Sequence, residues 1–157
     1  MNVVQSTRSA HARSLSRMAL AGLFAVLSVA SVGCAARGLG DPCIPESIPA
    51  GGFNQREVYV ETSAVQCRTR VCMVYQLQGN PEHITGTPSC GANPDCVSQE
   101  LVNERVFCSC RCSAGGDTNT PLCACNEGFT CVDDVVNAGG VGVRGGYCVR
   151  SDLVAAE

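Results

Sequence analysis

The cysteine pattern is the feature of this sequence that most constrains its fold. Thirteen of the 157 residues are cysteine, and twelve of these follow Cys34. An even number of cysteines in an exported chain predicts a disulfide framework, because thiols are oxidised outside the cytosol. We therefore predict that the cysteines after Cys34 form disulfides; they are Cys43, Cys67, Cys72, Cys90, Cys96, Cys108, Cys110, Cys112, Cys123, Cys125, Cys131 and Cys148.

Residues 1–33 have the pattern of an export signal. They contain no acidic residue, and Arg8, Arg13 and Arg17 precede a run over residues 18–33 that is apolar or small at every position. A basic segment followed by a short apolar segment is typical of a secretory signal peptide. The run is also shorter than the roughly 20 apolar residues that a membrane-spanning helix needs. We predict that residues 1–33 are a signal peptide.

The end of this leader, Ser31-Val32-Gly33-Cys34, resembles the lipobox of bacterial lipoproteins. The last three residues match that motif, whereas Ser31 stands where the family usually has Leu or another aliphatic residue. The resemblance implies that Cys34 is acylated, becomes the new N-terminus and holds the chain at a membrane. In bacteria with two membranes, Ala35 after the cysteine implies sorting to the outer membrane, on its periplasmic or cell-surface face.

Two alternatives to lipidation remain open at this stage. Cleavage after Ala30 or Ala36 would release a soluble chain, and an uncleaved leader would act as an anchor. We favour acylation of Cys34 because an unpaired thiol is a liability in an exported protein, and because setting Cys34 aside leaves an even number of cysteines. The membrane, reached through N-terminal acyl chains, is therefore the first predicted partner.

The composition predicts a small fold that depends on cross-links. The chain has no Trp, three Tyr and four Phe, and Phe24 belongs to the leader. A domain with so few large apolar side chains needs disulfide cross-links, each of which adds about 2 to 4 kcal/mol to the free energy of unfolding. The chain also has no lysine and no basic run after the leader, so a nucleic-acid partner is not expected.

Periodicity predicts a mainly β domain with irregular, loop-rich hairpins. Apolar residues alternate around residues 58–60 and 71–75, a pattern typical of strands, and residues 105–112 read as a further strand. We expect one or two helical turns over residues 98–104 and a surface loop over residues 78–96. The predicted organisation is a signal peptide at 1–33, a lipidated cysteine with a flexible Gly/Pro/Ala tether at 34–56, a disulfide-rich β domain at 57–151 and a tail at 152–157.

The spacing of the C-terminal cysteines permits a hairpin with two bridges. Alternate residues of a strand face the same side, and residues 110 and 112 alternate in this way, as do residues 123 and 125. An antiparallel hairpin could therefore join Cys112 to Cys123 and Cys110 to Cys125. Elsewhere, Cys90 could bridge to Cys96, and a mobile loop at 132–146 could be closed by Cys131 and Cys148. The sequence does not determine the connectivity.

The segment from Cys123 to Cys131 contains Cys-x-Cys-x-x-Gly-Phe, which resembles the end of an EGF-like module. The resemblance covers about a dozen residues and implies a local hairpin. It implies no calcium site, since the acidic ligands of that family do not precede the segment.

Function is less constrained than fold. His83 is the only histidine after the leader, and the chain lacks the motifs of hydrolases, phosphate-binding loops and Cys-x-x-Cys redox sites. We therefore predict no enzymatic activity and no cofactor. The leading hypothesis is a non-enzymatic binding or structural lipoprotein of the cell envelope with a protein or glycan partner. Closely spaced cysteines also suit zinc or copper, so a thiolate metal-binding protein is one alternative, and a secreted, disulfide-knotted inhibitor is another.

Overall fold

The computed structural model describes residues 38–114, 119 and 121–155, all within the unit Ala36–Glu157. These residues form two three-stranded antiparallel sheets, with strand orders β1-β2-β3 and β4-β6-β5. The elements are β1 (Val58–Glu61), β2 (Val71–Tyr75), α1 (Gln99–Arg105), β3 (Val106–Ser109), β4 (Arg111–Ala114), β5 (Phe129–Val136), β6 (Gly145–Arg150) and α2 (Ser151–Val154). The small, disulfide-rich, mainly β fold is confirmed.

The central strand β2 is buried on both faces, which explains its uninterrupted apolar sequence. Val71, Met73 and Tyr75 belong to a core shared with the second sheet. Cys72 and Val74 point the other way, into a core that is covered by loops. Because successive side chains of a strand alternate between faces, one five-residue strand contributes to both cores. The first sheet is therefore the middle layer of the domain.

The core between the sheets is built mainly from β2, β3 and β6. Phe107 of β3 and Tyr147 and Val149 of β6 are almost completely buried there. The Phe107 ring also meets the Phe129 ring edge-on, with centroids 5.9 Å apart. These few large side chains supply much of the apolar contact between the two sheets.

The strand predicted over residues 105–112 is divided between the two sheets. β3 pairs with β2, placing Cys108 opposite Cys72. After Cys110 the chain continues as β4, which pairs with β6 and places Arg111 opposite Tyr147. A single stretch of extended chain thus supplies one strand to each sheet, and the prediction of one continuous strand was wrong. The backbone at Cys110 therefore links the two sheets directly.

The prediction of a flexible tether is wrong for residues 38–56, which pack onto the domain. The Gly40 amide donates to the Cys108 carbonyl at 2.8 Å, and the Cys108 amide donates to the Asp41 carbonyl at 2.8 Å. Cys43 is buried and disulfide-bonded to Cys72. Further along, Phe53 pairs with Gly79. Because β3 lies at the edge of its sheet, this extended segment covers hydrogen-bonding groups that would otherwise be exposed.

The C-terminal boundaries also differ from the prediction. The region 132–146 is not wholly a loop, because β5 continues to Val136 and Val132, Val135 and Val136 pack against the shared core. The predicted tail begins instead with α2, whose Leu153 is 3% exposed in the same core. Apolar side chains thus extend the domain to residue 154.

The short helix predicted near residues 98–104 is confirmed as α1. The Ser98 hydroxyl accepts a hydrogen bond from the Leu101 amide and caps its first turn. Among the described residues, neither helix has the length and hydrophobicity needed to cross a bilayer.

Candidate functional site

Six disulfides join the twelve cysteines that follow Cys34, and Cys34 itself lies outside the described residues. The pairs are Cys43–Cys72, Cys67–Cys108, Cys90–Cys96, Cys110–Cys123, Cys112–Cys131 and Cys125–Cys148. The bridge expected between Cys90 and Cys96 is among them. Such a framework is typical of an extracytoplasmic or secreted protein, because the cytosol keeps thiols reduced.

The two-bridge hairpin expected near the C-terminus is not formed. Cys110 is bonded to Cys123, whereas the hairpin would join Cys110 to Cys125 and Cys112 to Cys123. The physical reason is that residues 121–126 form no strand, while the place beside β4 is taken by β6. The ladder geometry assumed for the hairpin is therefore absent.

Cys131 and Cys148 lie directly opposite each other on β5 and β6, yet they are not bonded to each other. Cys131 is bonded to Cys112, and Cys148 is bonded to Cys125. The predicted closure of the 132–146 region by a Cys131–Cys148 bridge was thus wrong. Instead, each of these two strands is joined to a different preceding segment.

The three disulfides of the second sheet lie side by side. The Cys148 Sγ atom is 3.7 Å from Cys110 Sγ and 3.8 Å from Cys123 Sγ, the two atoms of the neighbouring bridge. On the other side, the Sγ atoms of Cys112, Cys125 and Cys131 all lie within 4.8 Å of one another. We call these six sulfur atoms the sulfur row.

The sulfur row runs from the interior to the surface. Cys148 is fully buried, and Cys110 is nearly so. Cys112, Cys123 and Cys125 are partly exposed, and Cys131 at the far end is exposed. Cys148 points away from the core that Tyr147 and Val149 share with the first sheet, since its neighbours in β6 alternate with it. The disulfides therefore cover the outer face of β6, where a larger domain would place apolar side chains.

A cavity of about 360 Å³ opens where the two sheets meet. β2 contributes Val71 to its wall, β4 contributes Arg111 and β6 contributes Tyr147, while the Cys110–Cys123 bridge closes another side. The inner end of the sulfur row thus forms part of the cavity wall.

Arg111 brings a positive charge to this wall. Its side chain is only 5% exposed, and its Nη2 atom donates to the Val141 carbonyl at 3.3 Å. The Tyr147 hydroxyl donates to the Val143 carbonyl at 2.6 Å. Burial raises the pKa of this hydroxyl, and the charge of Arg111 opposes part of the rise. Tyr147 is therefore neutral at physiological pH.

One apolar side chain at the cavity is well exposed, since Leu122 lines it and is 49% exposed. A concave opening of this size with an apolar edge suits a small ligand.

His83, the histidine that follows the leader, is held by a neighbouring carboxylate. Its Nδ1 atom lies 2.7 Å from Asp95 Oδ1, and both side chains are partly buried. The Val97 amide also donates to the His83 carbonyl, and the Asn80 amide donates to the Asp95 carbonyl. The carboxylate orients the imidazole ring. The sequence did not reveal Asp95 as the partner of His83, because twelve residues separate the two. The available signal was that Asp95 directly precedes Cys96, a residue expected to form a disulfide.

In the part of the chain that the structure describes, the groups of side chains close enough to share a metal ion consist only of cysteines. The three groups of neighbouring ligand atoms are Cys43, Cys67 and Cys108; Cys110, Cys123 and Cys148; and Cys112, Cys125 and Cys131. Every one of these sulfurs is in a disulfide. Since the thiolate is the form that binds metal, these groups suit zinc or copper only after reduction.

Neither the cavity nor the disulfide framework can be interpreted through a relative. The chain matches no protein-family model, no curated protein and no solved structure.

Proposed function

We propose that this chain is an extracytoplasmic lipoprotein, acylated at Cys34, whose disulfide-rich domain acts as a non-enzymatic binding or structural module of the cell envelope. The observation that carries this proposal is the pairing of cysteines. The twelve cysteines after Cys34 bond to one another, which leaves no described cysteine to pair with Cys34. Acylation would give that thirteenth cysteine a chemical role.

The cross-linked domain suits presentation at a membrane. Two or more acyl chains anchor a protein stably, whereas one chain binds only marginally. Outside the cytosol, a domain is exposed to proteases, and local opening is what lets them cleave. Six bridges restrict that opening in a domain with little apolar core. We assign the outer membrane as the site of anchorage, with Ala35 as the sorting residue.

Two surfaces are available to a partner. The turn at residues 85–89 and the segment 137–142 are exposed, and exposed loops on a rigid scaffold commonly carry recognition. The cavity beside Arg111 offers a third, concave contact. We assign these surfaces to binding of an envelope protein or glycan.

The test is the intact mass of the native protein extracted from its own cells and alkylated without reduction. We expect a chain that begins at Cys34, is heavier by its acyl groups and carries no alkylated cysteine. A Cys34→Ala variant is the control and should remain unprocessed or be released from the membrane. An unacylated wild-type chain that fractionates with soluble proteins would overturn the proposal.

A second candidate function is storage or delivery of zinc or copper by thiolates. It is favoured by the three groups of cysteine sulfurs, each within 4.8 Å. The same mass measurement separates the two functions, because a thiolate protein would carry alkylated cysteines and release metal when acidified.

A further inference from the structure

We propose that the sulfur row is a thiol–disulfide exchange site, which accepts a small thiolate at the cavity and leaves a free thiolate on Cys131. The proposal goes beyond the envelope role and does not depend on acylation of Cys34. Three observations carry it: contact between successive disulfides, access from the cavity, and a gradient of exposure along the row.

Contact between the bridges is the first requirement of exchange. Exchange occurs when a thiolate sulfur attacks a disulfide sulfur. The Cys148 sulfur lies 3.7 and 3.8 Å from the two sulfurs of the neighbouring bridge, which is van der Waals contact. If Cys110 or Cys148 becomes a thiolate, its target is already beside it. Such transfer needs little movement of the backbone.

The cavity gives a small thiol access to the inner end of the row. Cys110 and Cys123 both line it, and Cys123 is partly exposed. Arg111 lines the same cavity, and a neighbouring cation favours the thiolate over the thiol. A volume of about 360 Å³ admits a tripeptide-sized thiol but not a folded protein. The expected substrate is therefore a low-molecular-weight thiol.

The first two steps conserve atoms and electrons. The incoming thiolate attacks Cys123 Sγ and breaks the Cys110–Cys123 bond, leaving a mixed disulfide on Cys123 and a thiolate on Cys110. Cys110 then attacks Cys148 Sγ and breaks the Cys125–Cys148 bond. The products of this second step are a Cys110–Cys148 disulfide and a thiolate on Cys125.

The last step carries the thiolate to the surface. Cys125 attacks Cys112 Sγ, forms a Cys112–Cys125 disulfide and releases Cys131 as a thiolate. The sulfurs of these three residues lie within 4.8 Å of one another, and Cys131 is exposed. The incoming sulfur is oxidised to the disulfide level as Cys131 is reduced to a thiolate, so the number of disulfide bonds is unchanged and no further oxidant or reductant is needed. The chain changes its connectivity and keeps the incoming group on Cys123.

The first experiment places a free thiol inside the row. Cys125→Ser frees Cys148 beside the Cys110–Cys123 bridge, and the matched control Cys96→Ser frees Cys90, which belongs to none of the described groups of neighbouring sulfurs. Each full-length variant is incubated at pH 8, labelled with N-ethylmaleimide, and mapped without reduction. If the pairings are equal in free energy, about a third of the label falls on each of Cys110, Cys123 and Cys148.

The control should carry its label on Cys90 alone. Label confined to Cys148 in the Cys125→Ser variant would overturn the proposal, since contact alone would then not lead to exchange.

A second experiment uses the wild-type chain, so that misfolding of a variant cannot hide the answer. The probe is reduced glutathione in limiting amount. We expect glutathione on Cys123 and a free thiol on Cys131. Glutathione on Cys123 with the free thiol remaining on Cys110 would contradict the relay. Loss of the Cys90–Cys96 bridge before any other would contradict preferential entry at the cavity.

Discussion

Removing the Cys43–Cys72 bridge should destabilise the domain far more than removing the Cys90–Cys96 bridge. The perturbation is a double substitution by alanine in each case. The first bridge spans 29 residues and the second spans 6. Loop-closure entropy alone then predicts losses of about 3.6 and 2.2 kcal/mol in the free energy of unfolding.

Packing widens this difference. Cys43 and Cys72 are buried in the core beneath the loops, whereas Cys90 and Cys96 are partly exposed. Loss of the two buried sulfurs adds on the order of 1 kcal/mol each. The expected total is about 5 to 6 kcal/mol for the first pair. Its removal should also loosen residues 38–56 from the edge of β3.

The assay is thermal denaturation of the wild-type chain and the two double variants with all other disulfides intact, together with amide hydrogen exchange. We expect the Cys43→Ala/Cys72→Ala variant to melt at least about 10 °C below the Cys90→Ala/Cys96→Ala variant. We also expect faster exchange at the Gly40 and Cys108 amides. Equal stability of the two variants, or unchanged exchange at these amides, would refute the reasoning that this bridge holds the N-terminal segment in place.

Three further predictions follow from single contacts. Gly52→Ala should lower the free energy of unfolding by about 3 kcal/mol or more, because its Cβ would lie 2.3 Å from the Gly79 carbonyl carbon. Gly51→Ala, also at positive φ but with open space around it, should lower it by about 1 kcal/mol. Thermal unfolding measures both losses, and similar values would contradict close packing at Gly52. Burial raises the pKa of Tyr147, so the stability it contributes is complete below the unfolded pKa of about 10 and is lost as pH rises from there through the folded pKa. Absorbance titration at 295 nm should lose an ionisation step above about pH 10 in Tyr147→Phe, and loss of a step below that pH would argue against the burial. Asp95→Asn should weaken the hold on His83 and lower stability by about 0.5 kcal/mol, with Glu82→Gln as the neutral control; equal melting temperatures for the two variants would show that the pair does not stabilise the loop.

Local patterns in the sequence predicted the elements that depend on local physics. β1 and β2 were identified from alternation, and α1 was expected as one or two helical turns over residues 98–104. The division of residues 105–112 between β3 and β4 could not be found in this way, because it depends on which distant strand pairs with each half. β6 lies more than thirty residues further along the chain than β4.

The candidate site was only partly visible in the sequence. The cysteine count predicted disulfides, but the connectivity depends on strand pairing, since Cys131 and Cys148 face each other without bonding. Arg111 gave no signal as a cavity residue, because its burial results from pairing opposite Tyr147. The local EGF-like resemblance and acylation of Cys34 stay predictions.

The packing of residues 38–56 limits how far an acylated chain could reach. With Gly38 already hydrogen-bonded to Asp41, the stretch from Cys34 to Gly38 spans at most about 14 Å when fully extended. That is less than half the thickness of a bilayer's hydrocarbon core, which is about 30 Å. In a lipid-anchored form, the folded domain would therefore lie close to the lipid headgroups and could move only a short distance from the membrane. Its partners would have to be membrane-proximal.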